Sequence, residues 1–90
     1  MALNNLGSLY IDTFNFDKAK STLLRGISIN PENINLNINL AFLYSNMDLS
    51  SEAYTYLYKV LKKDPENVRA LEILASLNFK DGNNEDAIKL

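Results

Sequence analysis

The chain contains no cysteine and no histidine. Their absence removes disulfides, thiol–imidazole and hydroxyl–imidazole nucleophile systems, and the usual zinc sites. Glycine is confined to three separate positions, Gly7, Gly26 and Gly82, so no glycine-rich loop can cradle a phosphate. Each of the three reads as a packing or capping residue. The formal net charge is only −2 at pH 7, which is not the footprint of a nucleic-acid surface. Lys59, Lys62 and Lys63 fall on one predicted helix and read as its solvated face. No apolar run approaches the roughly 20 residues of a membrane span. The first ten residues lack the charged start and apolar run of a secretory signal. Neither a membrane nor a nucleic acid is therefore expected as a partner, and a cytoplasmic location is the default. Ninety residues allow one small domain, which spans the whole chain in this reading.

What the chain does have is self-similarity. Leu6, Leu9, Tyr10, Ala19, Leu23, Pro31, Glu32 and Asn33 recur 34 residues later as Leu40, Leu43, Tyr44, Ala53, Leu57, Pro65, Glu66 and Asn67. A second shift carries Leu40, Ala41, Leu43 and Ala53 onto Leu74, Ala75, Leu77 and Ala87. A fixed period of this length is the mark of stacked helical hairpins. The copies divide at about 1–33, 34–67 and 68–90, the last stopping part-way, as in a piece of a longer array.

Within this register the spacing predicts helices over about 2–13, 17–29, 34–47, 51–63 and 68–80, then a short one from about 84 to 90. Asp17, Ser51 and Asn67 are candidate N-caps, with side-chain oxygens for free backbone N–H groups. Gly82 and Asp48 can adopt the left-handed conformation that ends a helix. Phe14 stands where Asp48 does, and positive φ is expensive for it, so the first turn is expected to be built differently. Gly26 is matched by Val60, which asks for local repacking. One stretch conflicts with the rest: from Asn33 to Leu40 polar and apolar residues alternate, the period of a strand. The buried stripe of Leu36, Leu40, Leu43, Tyr44 and Met47 continues in helical register, and that decides for helix. The many Asn residues follow no single face and read as compositional bias. Tyr54, Tyr56 and Tyr58 read as packing aromatics, and the adjacent carboxylates Glu85 and Asp86 diverge from a helix rather than converge on a substrate. No catalytic residue, cofactor or metal is expected.

The repeated residues resemble the tetratricopeptide repeat (TPR) family. Its Leu-small pair, aromatic, small residue, large apolar residue and closing Pro read Leu6-Gly7, Tyr10, Ala19, Leu23 and Pro31, then Leu40-Ala41, Tyr44, Ala53, Leu57 and Pro65. The chain departs from the motif at Asn37, where a bulky residue is usual, and at Asn78, where the aromatic is usual. The resemblance implies an all-α, right-handed solenoid of about two and a half repeats. It also implies a non-catalytic module that binds a protein or peptide partner on the concave face lined by the first helix of each repeat.

Mapped onto this chain, that groove comprises Asn5, Ser8, Ile38, Asn39, Phe42, Asn46, Arg69, Ile73, Ser76 and Phe79, with Ser45 and Glu72 on the same face. Ile38, Phe42, Ile73 and Phe79 lie off the core stripe and are expected to form an exposed apolar patch. The carboxylate-clamp subclass carries two Lys, two Asn and an Arg. This chain has Asn4, Ser8, Asn39, Arg69 and Ile73 at those places, too few cations for charge-assisted bonds to a terminal carboxylate. The truncated third copy suggests a structural alternative: Leu71, Leu74, Leu77 and Leu90 left partly uncovered and pairing two chains as a homodimer.

Overall fold

The computed structural model describes the backbone of residues 2–80 and the side chains of residues 6–79. These residues form α1 (Ala2–Asp12), α2 (Phe16–Ile29), α3 (Ile34–Asn46), α4 (Ser50–Lys63) and α5 (Val68–Lys80). No strand occurs among them. Each helix packs on the next along the chain, and α3 also touches α1 and α5. The architecture is an all-α solenoid of helical hairpins, with its core between the two rows of helices. Gly82, the helix predicted from about 84, the Glu85–Asp86 pair and Leu90 lie outside the described residues.

The repeat extends to individual hydrogen bonds. After α1, the N–H of Phe14 donates to the carbonyl of Ile11 (3.0 Å) and that of Asn15 to Tyr10 (2.7 Å). After α3, the N–H of Asp48 donates to Ser45 (3.2 Å) and that of Leu49 to Tyr44 (2.9 Å). This pair of bonds is the Schellman closure, which needs a left-handed residue at its centre. Phe14 and Asp48 both supply it, each with φ of 59°. The expectation that Phe14 would force a different turn is thus corrected. Two well-aligned closing bonds outweigh the conformational cost, and the Phe14 ring leans edge-on against Phe16, centroids 6.0 Å apart.

The caps divide two ways. Asn33 accepts from the N–H of Leu36 and Asn67 from that of Ala70, both at 2.9 Å. Asp17 and Ser51 are not N-caps, contrary to expectation: α2 and α4 begin after Asn15 and Leu49, and neither makes a side-chain cap bond. The Schellman turn leaves only one residue before each following helix, so the helix starts earlier than the capping residues. Asp17 still stands in the first turn of α2, where its charge suits the helix dipole.

The alternating stretch is helical. Its pattern is explained by enclosure: every residue from Leu36 to Ala41 is buried. A helix covered on most sides loses the one-sided stripe. The Asn residues there are not mere compositional bias. Asn37 Nδ2 donates to the carbonyls of Asn33 (2.8 Å) and Pro31 (3.1 Å), tying the turn before α3 to the helix. Asn39 Oδ1 accepts from Arg69 (3.2 Å). Copy three makes a similar exchange: Asn78, at the register of Tyr10 and Tyr44, accepts from the Tyr54 hydroxyl at 2.8 Å.

The mismatch of Gly26 and Val60 is resolved across the interface between hairpins. A Cβ on Gly26 would stand 2.8 Å from Leu36 Cδ2, so the glycine makes room for a fully buried leucine. One repeat later Val60 replaces the glycine and Ala70 replaces the leucine, and both are buried. Small against large becomes large against small. Gly26→Val alone should overpack the site, costing about 1–3 kcal/mol, and Leu36→Ala alone should leave a cavity costing about 2–5 kcal/mol. The double variant reproduces the Val60–Ala70 pair and should recover most of the loss. Denaturant melts of all four proteins measure the coupling. Purely additive losses would show that the two sites do not share one space.

Leu40 and Leu57 lie at the centre of the core, both fully buried. Replacing either with Ala should cost roughly 2–5 kcal/mol, a large share of the 5–15 kcal/mol typical of a whole domain. Unchanged thermal melts would contradict the burial.

Tyr44 is 5% exposed and stacks on Tyr56 with ring centroids 5.7 Å apart. Burial, with smaller contributions from Tyr56 and Glu52, pushes its phenol above the ordinary value of 10.0. The folded state therefore holds the phenolic proton more tightly than the unfolded state does. The stability this contributes is complete below pH 10 and is lost as pH rises through the folded value. Tyr44→Phe should flatten the alkaline fall in stability, measured as denaturant midpoints on either side of pH 10.

Candidate functional site

Between α3 and α5 lies a cavity of about 420 Å3, lined by Phe42, Ser45, Asn46, Arg69, Glu72, Ile73 and Ser76. The lining residues are three and four apart on each helix, so they share one face of each. Phe42 and Ile73 provide the apolar floor, Phe42 half-buried and Ile73 at 8% exposure. Arg69 and Glu72 stand exposed at the rim with opposite charges. The Arg69 guanidinium is oriented from beneath by its bond to Asn39. The volume lies within the 300–1,000 Å3 typical of ligand pockets, with an apolar floor and a polar rim.

Five of the ten predicted groove residues, Phe42, Asn46, Arg69, Ile73 and Ser76, meet around this cavity. Ser45 and Glu72, read as belonging to the same face, complete it. Ile38 and Asn39 do not present a surface: they are 1% and 2% exposed. The expectation of an exposed patch at Ile38 and Ile73 is therefore corrected: α3 is packed by all four other described helices, and Ile38 is sealed while Ile73 keeps 8% exposure. Phe79 is 75% exposed but stands outside the cavity lining. Ser8 is half-buried on α1 and also outside it, and the side chain of Asn5 lies outside the described residues. Of the clamp positions, Asn39 and Arg69 are bonded to each other rather than both turned to the groove.

A second concavity of about 430 Å3 is lined by Glu32, Lys59, Lys62 and Lys63. Lys63 pairs with Glu32 Oε1 at 3.0 Å and reaches the Glu32 carbonyl at 3.5 Å, while Lys59 reaches that of Pro31 at 3.5 Å. The hydrogen bond and charge of Lys63, then Lys59 and Lys62, hold the Glu32 carboxyl below the usual carboxylate range. These lysines fasten the α2–α3 turn to the C-terminal end of α4, where cations also suit the helix dipole. Among the described residues, no three of His, Cys, Asp and Glu stand together to hold a metal ion, and no helix is long and apolar enough to cross a membrane.

A family model described as the tetratricopeptide repeat matches residues 2–33, the first hairpin and its closing turn. Residues 2–33 thus match a tetratricopeptide repeat, and the five described helices are consistent with an all-α solenoid of that type. TPR units generally mediate protein–protein interaction and are typically non-catalytic. No curated protein matches the sequence. The residues predicted for self-association behave unequally. Leu71 is 43% exposed, Leu74 half-buried and Leu77 only 1% exposed. Leu77 therefore leaves that set, because α5 turns it into the core.

Proposed function

We propose that this TPR chain is a non-catalytic interaction module that holds a peptide segment of a partner protein in the α3–α5 groove. The observation that supports this is the cavity with Phe42 and Ile73 beneath and Arg69 and Glu72 at the rim. The peptide is mixed in character: an apolar side chain enters over Phe42 and Ile73, and flanking residues of opposite charge meet the rim. A bare C-terminal carboxylate is disfavoured, because Arg69 is the one cation lining the cavity among the described residues and a neutral Ile73 stands where the clamp has a second. No cofactor or metal takes part in this reading.

A displayed peptide library, followed by anisotropy titration of the selected sequences, tests it. Selected peptides should carry an apolar anchor, and Phe42→Asp should weaken them by at least about tenfold, a loss of about 1.4 kcal/mol, while circular dichroism stays unchanged. Tight selection of acidic tails that depend on a free carboxylate would overturn the proposed chemistry. A structural role by homodimerisation is the second reading, motivated by the exposure of Leu71. Sedimentation equilibrium of the chain and of Leu71→Asp separates it from a monomeric peptide binder.

A further inference from the structure

The chain departs from its own repeat at Asn37, whose register holds Leu3 in the first copy and Leu71 in the third. Asn37, Val60, Lys59 and Lys63 help to line a cavity of about 10 Å3 at this place, roughly the space of one water. Both hydrogens of Asn37 Nδ2 are used on the Pro31 and Asn33 carbonyls. Its Oδ1 is buried and has no partner among the described residues. This cavity shares Glu32, Lys59 and Lys63 with the larger concavity of about 430 Å3, which Lys62 completes. The three lysines are three and four apart, so they share one face of α4. Their register on α2 holds Arg25, Ser28 and Ile29, so the repeat does not require a lysine triad. Fastening the α2–α3 turn accounts for Lys59 and Lys63. It does not account for Lys62, which makes no hydrogen bond or ion pair among the described residues. The triad nevertheless acts on one point: Lys63, then Lys59 and Lys62, holds the Glu32 carboxyl below its usual range. Three positive charges against one negative leave the lining of the concavity at +2.

We propose that the lysine-lined concavity is a second binding site, for a phosphorylated serine or threonine of a partner protein. A phosphate monoester carries about −1.5 to −2 charges at neutral pH, which matches the lining, whereas one carboxylate supplies about half of that. The Glu32 oxygen on Lys63 at 3.0 Å marks where an anionic oxygen sits. Lysine binds phosphate as a point charge, so ammonium groups from one helix face can converge on a single phosphoryl group. Beneath it, one water donates one hydrogen to a phosphate oxygen and the other to Asn37 Oδ1. The amide that stands where the other copies have leucine thus completes the site. The site shares no lining residue with the α3–α5 cavity and does not depend on the peptide proposed there.

Amide NMR spectra of the full chain, titrated at low salt, test it. The probes are acetyl-Gly-Gly-phosphoserine-Gly-Gly-amide, its unphosphorylated form, the same peptide with Glu-Glu in place of phosphoserine, and inorganic phosphate. The phosphopeptide should shift the backbone signals of Lys59, Lys62 and Lys63 and the side-chain amide of Asn37, and the unphosphorylated form should not. Lys62→Gln should weaken binding about tenfold, the worth of a hydrogen bond to a charged group. Lys62 is exposed, so that variant is expected to fold. Glu32→Gln removes the competing carboxylate and should tighten binding. Asn37→Leu restores the residue of the other copies and should weaken it, and Lys62→Gln decides alone if that buried variant misfolds. No shift at the lysines, or no effect of Lys62→Gln, would overturn the site. Equal binding of the Glu-Glu peptide would overturn the preference for phosphate. Inorganic phosphate bound as tightly as the phosphopeptide would assign the site to the free ion, and the partner protein would fall. Binding to phosphatidylcholine vesicles bearing phosphatidic acid, with none to the phosphopeptide, would assign it to a lipid surface instead. Asp81, Glu85 and Asp86 lie outside the described residues. If the phosphopeptide binds only once these three are neutralised, the lysines serve the chain's own segment and the proposal fails.

Discussion

Because α3 touches every other described helix, it has almost no side left for water, and the rest of the molecule is arranged around that enclosure. Burying a helix on several sides at once is favourable only while its polar side chains find partners. Asn37 and Asn39 are 3% and 2% exposed, and each has one. Asn37 holds two carbonyls of the preceding turn, which fixes the angle at which α2 feeds into α3. Asn39 reaches forward to Arg69 on α5. One polar pair thus sets the entry to the central helix and the other ties it to the next repeat. Asn37 Oδ1 has no partner among the described residues, and an unpartnered buried acceptor costs about 1–3 kcal/mol. The two carbonyls held by Asn37 Nδ2 offset at least part of that cost.

The same enclosure explains why the hairpins are alike without being interchangeable. The closing bonds of α1 and α3, the caps at Asn33 and Asn67, and the leucines at 23 and 57 repeat closely. The contacts between hairpins do not. Gly26 with Leu36 and Val60 with Ala70 fill the space by opposite choices. Close-packed interiors respond to a single methylene. An array built this way has its order encoded at the boundary positions, while the repeated core residues supply the common scaffold.

Much of this fold was legible in the sequence, because the 34-residue register constrains many positions at once. It outweighed the strand-like alternation from Asn33 to Leu40, which a local window would have misread. What the register could not show was a balance of energies at single residues. Phe14 takes a left-handed conformation because two closing bonds require it, and residue type alone argued otherwise. The candidate groove was legible as a set of helix faces but not as a depth profile. Ile38 and Phe42 stand one turn apart on one helix, yet the first is sealed at 1% exposure while the second lines the cavity. That distinction depends on how closely α1 and α5 approach α3, a property of the superhelix that no single repeat carries.

Arg69 is where the constraint on the core meets the candidate groove. Its guanidinium has five N–H donors in a rigid fork, and one of them is directed to the buried Asn39 at 3.2 Å. The remaining donors are therefore held in a defined orientation on an otherwise exposed side chain. A long, solvated arginine would lose rotamer freedom on meeting a ligand, about 0.5–1.5 kcal/mol for a side chain of this kind. Here part of that ordering is already made by the packing of α3 against α5. Glu72, three residues on, lies on the same helix face and limits how strongly a purely acidic ligand is drawn in. In the proposed reading, such a rim suits a segment that presents both an acceptor and a donor around an apolar anchor. That proposed preference rests on one buried asparagine holding one arginine in place.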